Sequence, residues 1–265
     1  VTRAPAWYEK QLADCLRDLS TFSRYWLDRP LRRYQQEIAG GILYSALRGE
    51  AREFAVIMPR QAGKNEISAQ MEAYLLHLCR EHGGQIVKAA PTFRPQAANS
   101  LLRLSDHLRG PLNAAALAYP QPHIIALGRA RALFFSAQPE ANTVGASADR
   151  LLEGDEAQDL PAAKWDKDFA PMAASANAAR VLYGTPWTSR TLLARETRAL
   201  LDLEKKDGQK RVWIIPWERV AEESPEYGAY VQGEIARLGA EHPLIKTQWV
   251  MGSSHVWHVK TLQVV

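Results

Sequence analysis

Residues 54–78 read FAVIMPRQAGKNEISAQMEAYLLHL: a short apolar run, a loop holding Gly63 and Lys64, then a long helical pattern. A strand, a tight glycine turn and a helix opening on lysine make the geometry that cradles a triphosphate. Backbone N–H groups of the turn and of the helix N-terminus face the anion, and the lysine adds a mobile positive charge. The stretch therefore predicts a nucleotide-binding loop. Other segments must supply what such a loop cannot do alone.

Upstream, residues 7–29 show a helical pattern with Trp7, Leu12, Leu16, Leu19, Tyr25 and Trp26 as candidate buried positions, broken at Arg29-Pro30. LRRYQQEIAGGIL, residues 31–43, is a second helical pattern. Its Tyr34 and Gln35, an aromatic and an amide ahead of the loop, could stack on and hydrogen-bond an adenine. The pair also reads, more simply, as a core tyrosine beside a surface glutamine.

Downstream, QIVKAAP (85–91) reads as a buried strand and RPQAANSLLRLSDHLRG (94–110) as a helix. HIIALG (123–128) and ALFFSA (132–137) form a hairpin turning near Arg129. The apolar run of RLLEGDEAQDLP (150–161) ends in Asp155-Glu156. A helix over 161–174, the strand VLYGTP (181–186), a helix over 188–206 and the strand RVWIIPW (211–217) follow. A last helix begins at Ser224-Pro225. Strands alternating with helices predict an α/β fold, a mainly parallel sheet with helices on both faces. Such sheets bind ligands beyond the C-terminal ends of their strands. The Gly63-Lys64 loop, Asp155-Glu156 and Gly184-Thr185-Pro186 all fall at ends of that kind.

Composition narrows the class. The chain has 265 residues, 46% hydrophobic and 23% charged, as an ordinary globular protein does. No apolar run approaches the ~20 residues of a membrane span, and residues 1–30 lack a signal-peptide pattern. Cys15 and Cys79 are too few for a disulfide framework or a zinc site, so a reducing cytoplasm is expected. The net charge of +4 is uneven: residues 1–150 carry 19 basic against 13 acidic residues, and residues 151–265 carry 14 against 16. That favours a polyanionic partner only weakly.

The three loops suit phosphoryl transfer from ATP, which needs charge neutralisation, a held Mg²⁺ and an oriented nucleophile. Lys64 would contact the β- and γ-phosphates. Asp155 would hold Mg²⁺ through water. Glu156 would polarise an attacking water, which favours hydrolysis. The loop departs from G-x-x-x-x-G-K-[ST] at two positions, Met58 and Asn65, the second a poorer magnesium ligand than a hydroxyl.

Those departures resemble the altered phosphate loop of the large terminase subunits of tailed bacteriophages, R-Q-x-G-K-[STN]. Here it stands as Arg60-Gln61-Ala62-Gly63-Lys64-Asn65. KAAPTFRPQA (88–97), LLEGDEAQD (151–159) and YGTP (183–186) resemble, in the family's order, the segment after the second strand, the Walker B stretch and the coupling motif. The resemblance spans roughly residues 30–220.

It implies a RecA-like, ASCE-type P-loop ATPase that drives double-stranded DNA into a procapsid, with ATP and Mg²⁺ as cofactors. It implies a ring, usually of five subunits, on a portal protein, with a small terminase subunit as partner, in the host bacterial cytoplasm. Arg60, Lys64 and Glu156 take the catalytic positions. Residues 60–66, with Tyr34 and Gln35, take the nucleotide-binding positions. Asp155 and Asn65 take the metal positions, and Gly184, Thr185 and Pro186 the coupling positions. In some members an arginine before the Walker B stretch reaches a neighbouring subunit; no arginine matches cleanly here, and Arg129, Arg131 and Arg150 are candidates. Arg94, Arg103 and Arg109 are candidates for DNA contact.

The expected organisation is an ATPase domain over 1–220, its first 50 residues helical, and a helical subdomain or linker over 221–265. The tail from Gly252 reads as a final strand or an unpacked end. Nothing after Val220 offers the clustered acids of a terminase nuclease, so no DNA cleavage is expected from this chain, read as an ATPase portion or a shortened gene product. Two other readings share the loops: a helicase-like DNA translocase, and a degenerate, non-hydrolysing DNA-binding or assembly module.

Overall fold

The computed structural model describes residues 6–143 and 145–249. Its centre is one eight-stranded sheet. The strands are β1 (Glu53–Ile57), β2 (Gly84–Ala90), β3 (Leu117–Gln121), β4 (Ile124–Leu127), β5 (Ala130–Ser136), β6 (Leu151–Gly154), β7 (Ala179–Gly184) and β8 (Val212–Ile214). They lie in the order β3-β4-β5-β2-β6-β7-β1-β8. The pairs from β5 to β8 are all parallel, and β3 and β4 extend that edge antiparallel. The expected α/β sheet is present, and β4–β5 is the expected hairpin. The strand β3, over LAYPQ, carries no apolar alternation, which is why the sequence reading passes over it.

Alternation along the strands splits the core in two, because successive side chains point to opposite faces. Phe54, Val56, Ile86, Phe134, Val181 and Tyr183 pack with the helices Arg33–Arg48, Lys64–Cys79 and Ala98–Leu108. Ala55, Ile57, Val87, Leu133, Leu152 and Leu182 pack on the other face, against Trp165, Phe169, Leu192, Leu193 and Leu200. The segment expected as a helix over 161–174 is a short helix, a π turn and a 3₁₀ turn in succession. The helix expected over 188–206 runs Leu192–Asp207, because the Thr191 side chain caps it by accepting the Ala194 N–H.

The amino-terminal helical part packs on the first face through Leu12, Leu19 and Phe22. Trp7 and Tyr25, expected inside, are 59% and 71% exposed, as the apolar stripe of this segment faces elsewhere. Leu203, expected to pack, is also exposed. The helices Pro225–Leu238 and Pro243–Gln248 enclose a small cluster of Val231, Ile245 and Trp249. They also touch the loop after β1: the Tyr227 hydroxyl donates to Arg60 O at 3.1 Å, and Arg60 N donates to Gln248 O at 3.0 Å. The expected change of character from Gly252 lies outside the described residues. Among the described residues no helix is long and apolar enough to cross a membrane.

Candidate active site

Three strands that are neighbours in the sheet, β6, β7 and β1, end side by side and bring the three loops together. The register explains the fit, since Ile57 pairs with Gly184, and Gly154 with Leu182. The backbone continues the pairing: Met58 N donates to Gly184 O at 3.1 Å, and Ala157 N to Tyr183 O at 2.8 Å.

The loop after β1 turns through two left-handed residues, Gln61 (φ 59°) and Gly63 (φ 92°). Gly63 is favoured by its backbone and by its surroundings. Its φ favours glycine, and a Cβ there would stand 2.3 Å from Gln35 Nε2. The helix Lys64–Cys79 starts at once, with Glu66 and Ile67 N–H groups on Gly63 O.

Tyr34 and Gln35 support this loop from beneath. The Tyr34 hydroxyl donates to Ala62 O at 2.8 Å, Gln35 Nε2 reaches the same oxygen at 3.4 Å, and Gln35 Oε1 accepts Arg32 N–H. Tyr34 is 1% exposed, so its ring offers no face to an adenine. The expected stacking contact is replaced by a buried brace.

Lys64 is 7% exposed, and its Nζ reaches Thr185 Oγ1 at 3.0 Å and the Met58 and Pro59 carbonyls at 3.4 Å. Burial draws its pKa down, opposed by the carboxylates of Glu156 and Asp155. Asp155 is also buried; burial pushes its pKa up while Lys88 pulls it down. Its Oδ1 accepts Glu156 N–H at 3.0 Å, and Ser100 Oγ donates to Oδ2 at 3.3 Å. Glu156 is left-handed (φ 46°), a conformation uncommon outside glycine and frequent at functional turns.

Gln158, which the sequence reading leaves without a role, joins the loops. Its Nε2 donates to Glu156 Oε2 at 2.6 Å, and its Oε1 accepts Thr185 N–H at 3.1 Å. A continuous hydrogen-bonded path therefore runs Glu156–Gln158–Thr185–Lys64. Gly184 makes room for it, because a Cβ there would lie 2.5 Å from Gln158 Oε1. Pro186, next in the loop, is buried.

Beneath the site lies a buried charged cluster that the sequence reading also misses. Lys88 on β2 pairs in register with Glu153 on β6. Lys88 Nζ lies 3.1 Å from Glu72 Oε1 and 3.9 Å from Glu153 Oε2. Ser68 Oγ donates to Glu153 Oε1 at 2.7 Å. Burial would lower the Lys88 pKa, but Glu72, Glu153 and Asp155 hold it above its ordinary value. Burial pushes the Glu72 carboxyl well up, and the Lys88 cation opposes that rise. The signal is a lone lysine in QIVKAA and a lone glutamate in LLEG, each inside an otherwise apolar strand.

Other candidates fall elsewhere. The Glu66 side chain links two helices, through Gln70 Nε2 at 2.8 Å, Arg103 at 3.0 Å and His107 Nε2 at 3.0 Å. It is thus committed to packing, and so is Arg103; Arg109 pairs with Asp106, and Arg94 is exposed. Asn65 is half-buried, and among the described residues its side chain has no hydrogen-bond partner. Arg60 is exposed at the mouth. Arg129, Arg131 and Arg150 gather at the opposite end of the sheet.

Among the described residues no three His, Cys, Asp or Glu form a metal cage. Magnesium sites seldom need one, since a single carboxylate, waters and substrate phosphates usually suffice. Asp155 with the Asn65 amide oxygen fits that donor chemistry.

A mainly parallel sheet with helices on both faces, a glycine-lysine loop after β1 and an acidic pair after β6 make a RecA-like α/β fold. Within that class the fold is the one seen in the ATPase domains of phage large terminases. The large terminase of bacteriophage HK97 superposes with a TM-score of 0.67 at 14% identity, covering 89% of this chain and 55% of that one. The ATPase domain of the Thermus phage P74-26 large terminase gives 0.63 at 17%, covering 86% and 95%. A large terminase from a thermophilic bacteriophage, in complex with ADP, gives 0.61 at 10%, covering 83% and 53%. The chain thus spans about half the length of the first and third of these proteins. No protein-family model and no curated protein sequence matches the chain.

Proposed function

We propose that this chain is the ATPase motor portion of a phage large terminase, hydrolysing ATP to move double-stranded DNA into a procapsid. The observation that carries the reading is the hydrogen-bonded path from Glu156 through Gln158 and Thr185 to Lys64, on a terminase-like fold. Lys64 moves from the loop carbonyls to the β- and γ-phosphates. Asp155 and Asn65 would hold Mg²⁺, which when bound neutralises phosphate charge. Glu156 orients a water whose oxygen bonds to the γ-phosphorus as the β–γ bridging P–O bond breaks. The electron pair of that bond leaves with ADP, and Glu156 accepts the proton of the water. Loss of the γ-phosphate releases Lys64 back to Thr185, and the loop after β7 carries the change outward.

The partners proposed with this reading are duplex DNA, a portal protein and a small terminase subunit, in a ring of five copies in the host bacterial cytoplasm. Thermal melting with a non-hydrolysable ATP analogue and Mg²⁺ tests the nucleotide step. At saturating analogue the melting temperature should rise by roughly 5–10 °C, and Lys64→Ala should abolish the rise. No rise for the parent protein at millimolar analogue would refute the reading and favour the non-hydrolysing module.

A further inference from the structure

We infer that the far end of the sheet holds a second anion site, one that takes a phosphate monoester or diester. It is a cavity of about 530 Å³ whose wall includes His82, Gly83, Arg129, Arg131, Asp149 and Arg150. These residues sit at the amino-terminal ends of β2, β5 and β6, whereas the nucleotide loop leaves the carboxyl-terminal ends. The seven residues of β2 separate the two ends. At ~3.3 Å per residue that is roughly 20 Å, too far for one small ligand to fill both.

The charge of this cavity is one-sided. Three guanidinium groups and His82 outnumber the carboxylates near them: Asp149 already accepts the Gln85 N–H, and Glu81, within the field of Arg129 and His82, is paired with Arg80. Arg150 leans on Cys79 Sγ at 3.4 Å and the Asp149 carbonyl at 3.2 Å. Arg129 and Arg131 are exposed, and among the described residues neither forms an ion pair. Other exposed or partly exposed arginines of the chain do: Arg103 with Glu66, Arg109 with Asp106, Arg195 with Asp166, Arg211 with Asp207.

The helix ending at Cys79 does not account for the cations. Arginines often cap such ends, but backbone N–H groups already satisfy this one: Gly83 N on Cys79 O at 2.7 Å and Arg129 N on Arg80 O at 2.8 Å. The guanidinium heads of Arg129 and Arg131 are thus left for an outside partner. Crowded guanidinium groups repel one another, and an anion between them relieves that cost. Their fork geometry matches the paired oxygens of a phosphate. Two sources share this chemistry, a free phosphate or nucleotide and the backbone of a polynucleotide. The inference is independent of the proposed ATPase.

The test silences the nucleotide loop first. In the Lys64→Ala protein, inorganic pyrophosphate is titrated by calorimetry and a short labelled DNA duplex by anisotropy, with and without Arg129→Gln and Arg131→Gln together. At least one probe should bind the protein with both arginines intact, and weaken about ten-fold in the double-glutamine form. If the duplex responds, the slope of log affinity against log salt should also fall by about 2, one phosphate per arginine. Response of pyrophosphate alone identifies a small phosphate, and response of the duplex identifies a polynucleotide. The Arg→Lys pair, which keeps the charge, should restore part of the affinity and controls for folding. The site is refuted if neither probe binds the Lys64→Ala protein at millimolar pyrophosphate or micromolar duplex. It is equally refuted if every probe that binds does so unchanged in the double-glutamine form.

Discussion

Lys64 Nζ lies 3.0 Å from Thr185 Oγ1, so the lysine that would meet a nucleotide is held by the loop leaving the neighbouring strand. The same hydroxyl reaches Met58 O at 3.3 Å. One side chain thus links the loop after β1 to β7. Thr185→Val keeps the shape and removes the link. A hydrogen bond to a charged group contributes about 1.5 kcal/mol, equivalent to about ten-fold in rate. Turnover should fall by that factor while analogue affinity stays within about three-fold, and Thr185→Ser should restore turnover. Parent-like turnover in Thr185→Val would remove Thr185 from the coupling path.

Glu156 stands at the other end of the path, its carboxylate tied to Gln158 at 2.6 Å. Glu156→Gln keeps the size and removes the base, so it should abolish ATP hydrolysis while analogue binding persists. Gln158→Ala should leave the carboxylate in place but loosely held, lowering turnover less severely. Single-turnover phosphate release measures both. Hydrolysis at the parent rate in Glu156→Gln would show the catalytic assignment to be wrong.

The contrast between legible and hidden parts follows from range. Residues 54–78 disclose a strand, a turn and a helix because local periodicity and one glycine determine them. That Asp155-Glu156, Gly184-Thr185 and the Gly63-Lys64 loop fall at strand ends is also readable. Their adjacency is not, since it rests on the order β6-β7-β1, a non-local property. Tyr34 misleads for a related reason: an aromatic one helix ahead of the loop can lie over or under it, and burial decides. The Lys88–Glu153 pair is written in two strands 65 positions apart, and becomes meaningful only in register.

Glu66 carries a pH dependence. Burial would raise its pKa, but hydrogen bonds from His107, Gln70 and Arg103 outweigh that and draw it down to about 2. A carboxylate depressed in the folded state stabilises it fully above the unfolded value near 4.5, and loses that contribution as pH falls toward 2. The side chain is 22% exposed, so solvent screening reduces the contribution to about 1–2 kcal/mol. Glu66→Gln should therefore destabilise the protein at pH 7, with the deficit shrinking from pH 4.5 downward. Urea midpoints across that range measure it, and a deficit independent of pH would point to lost packing instead.

The cluster beneath the site separates two variants that look alike on paper. Lys88, Glu72 and Glu153 are all essentially inaccessible, and burial pushes the Glu72 carboxyl toward its neutral form. Lys88 shares a register position with Glu153 and reaches both carboxyl groups. Lys88→Met removes the cation and leaves a buried carboxylate uncompensated, which costs about 3–5 kcal/mol. Glu72→Gln keeps the size and leaves Lys88 its contact with Glu153, so it should cost less than about 1 kcal/mol. Urea unfolding at pH 7 distinguishes them, with unchanged m-values showing that the comparison is one of stability alone. Equal losses in the two variants would mean that Glu72 is ionised in the folded protein. The cluster would then carry an excess negative charge directly behind Asp155.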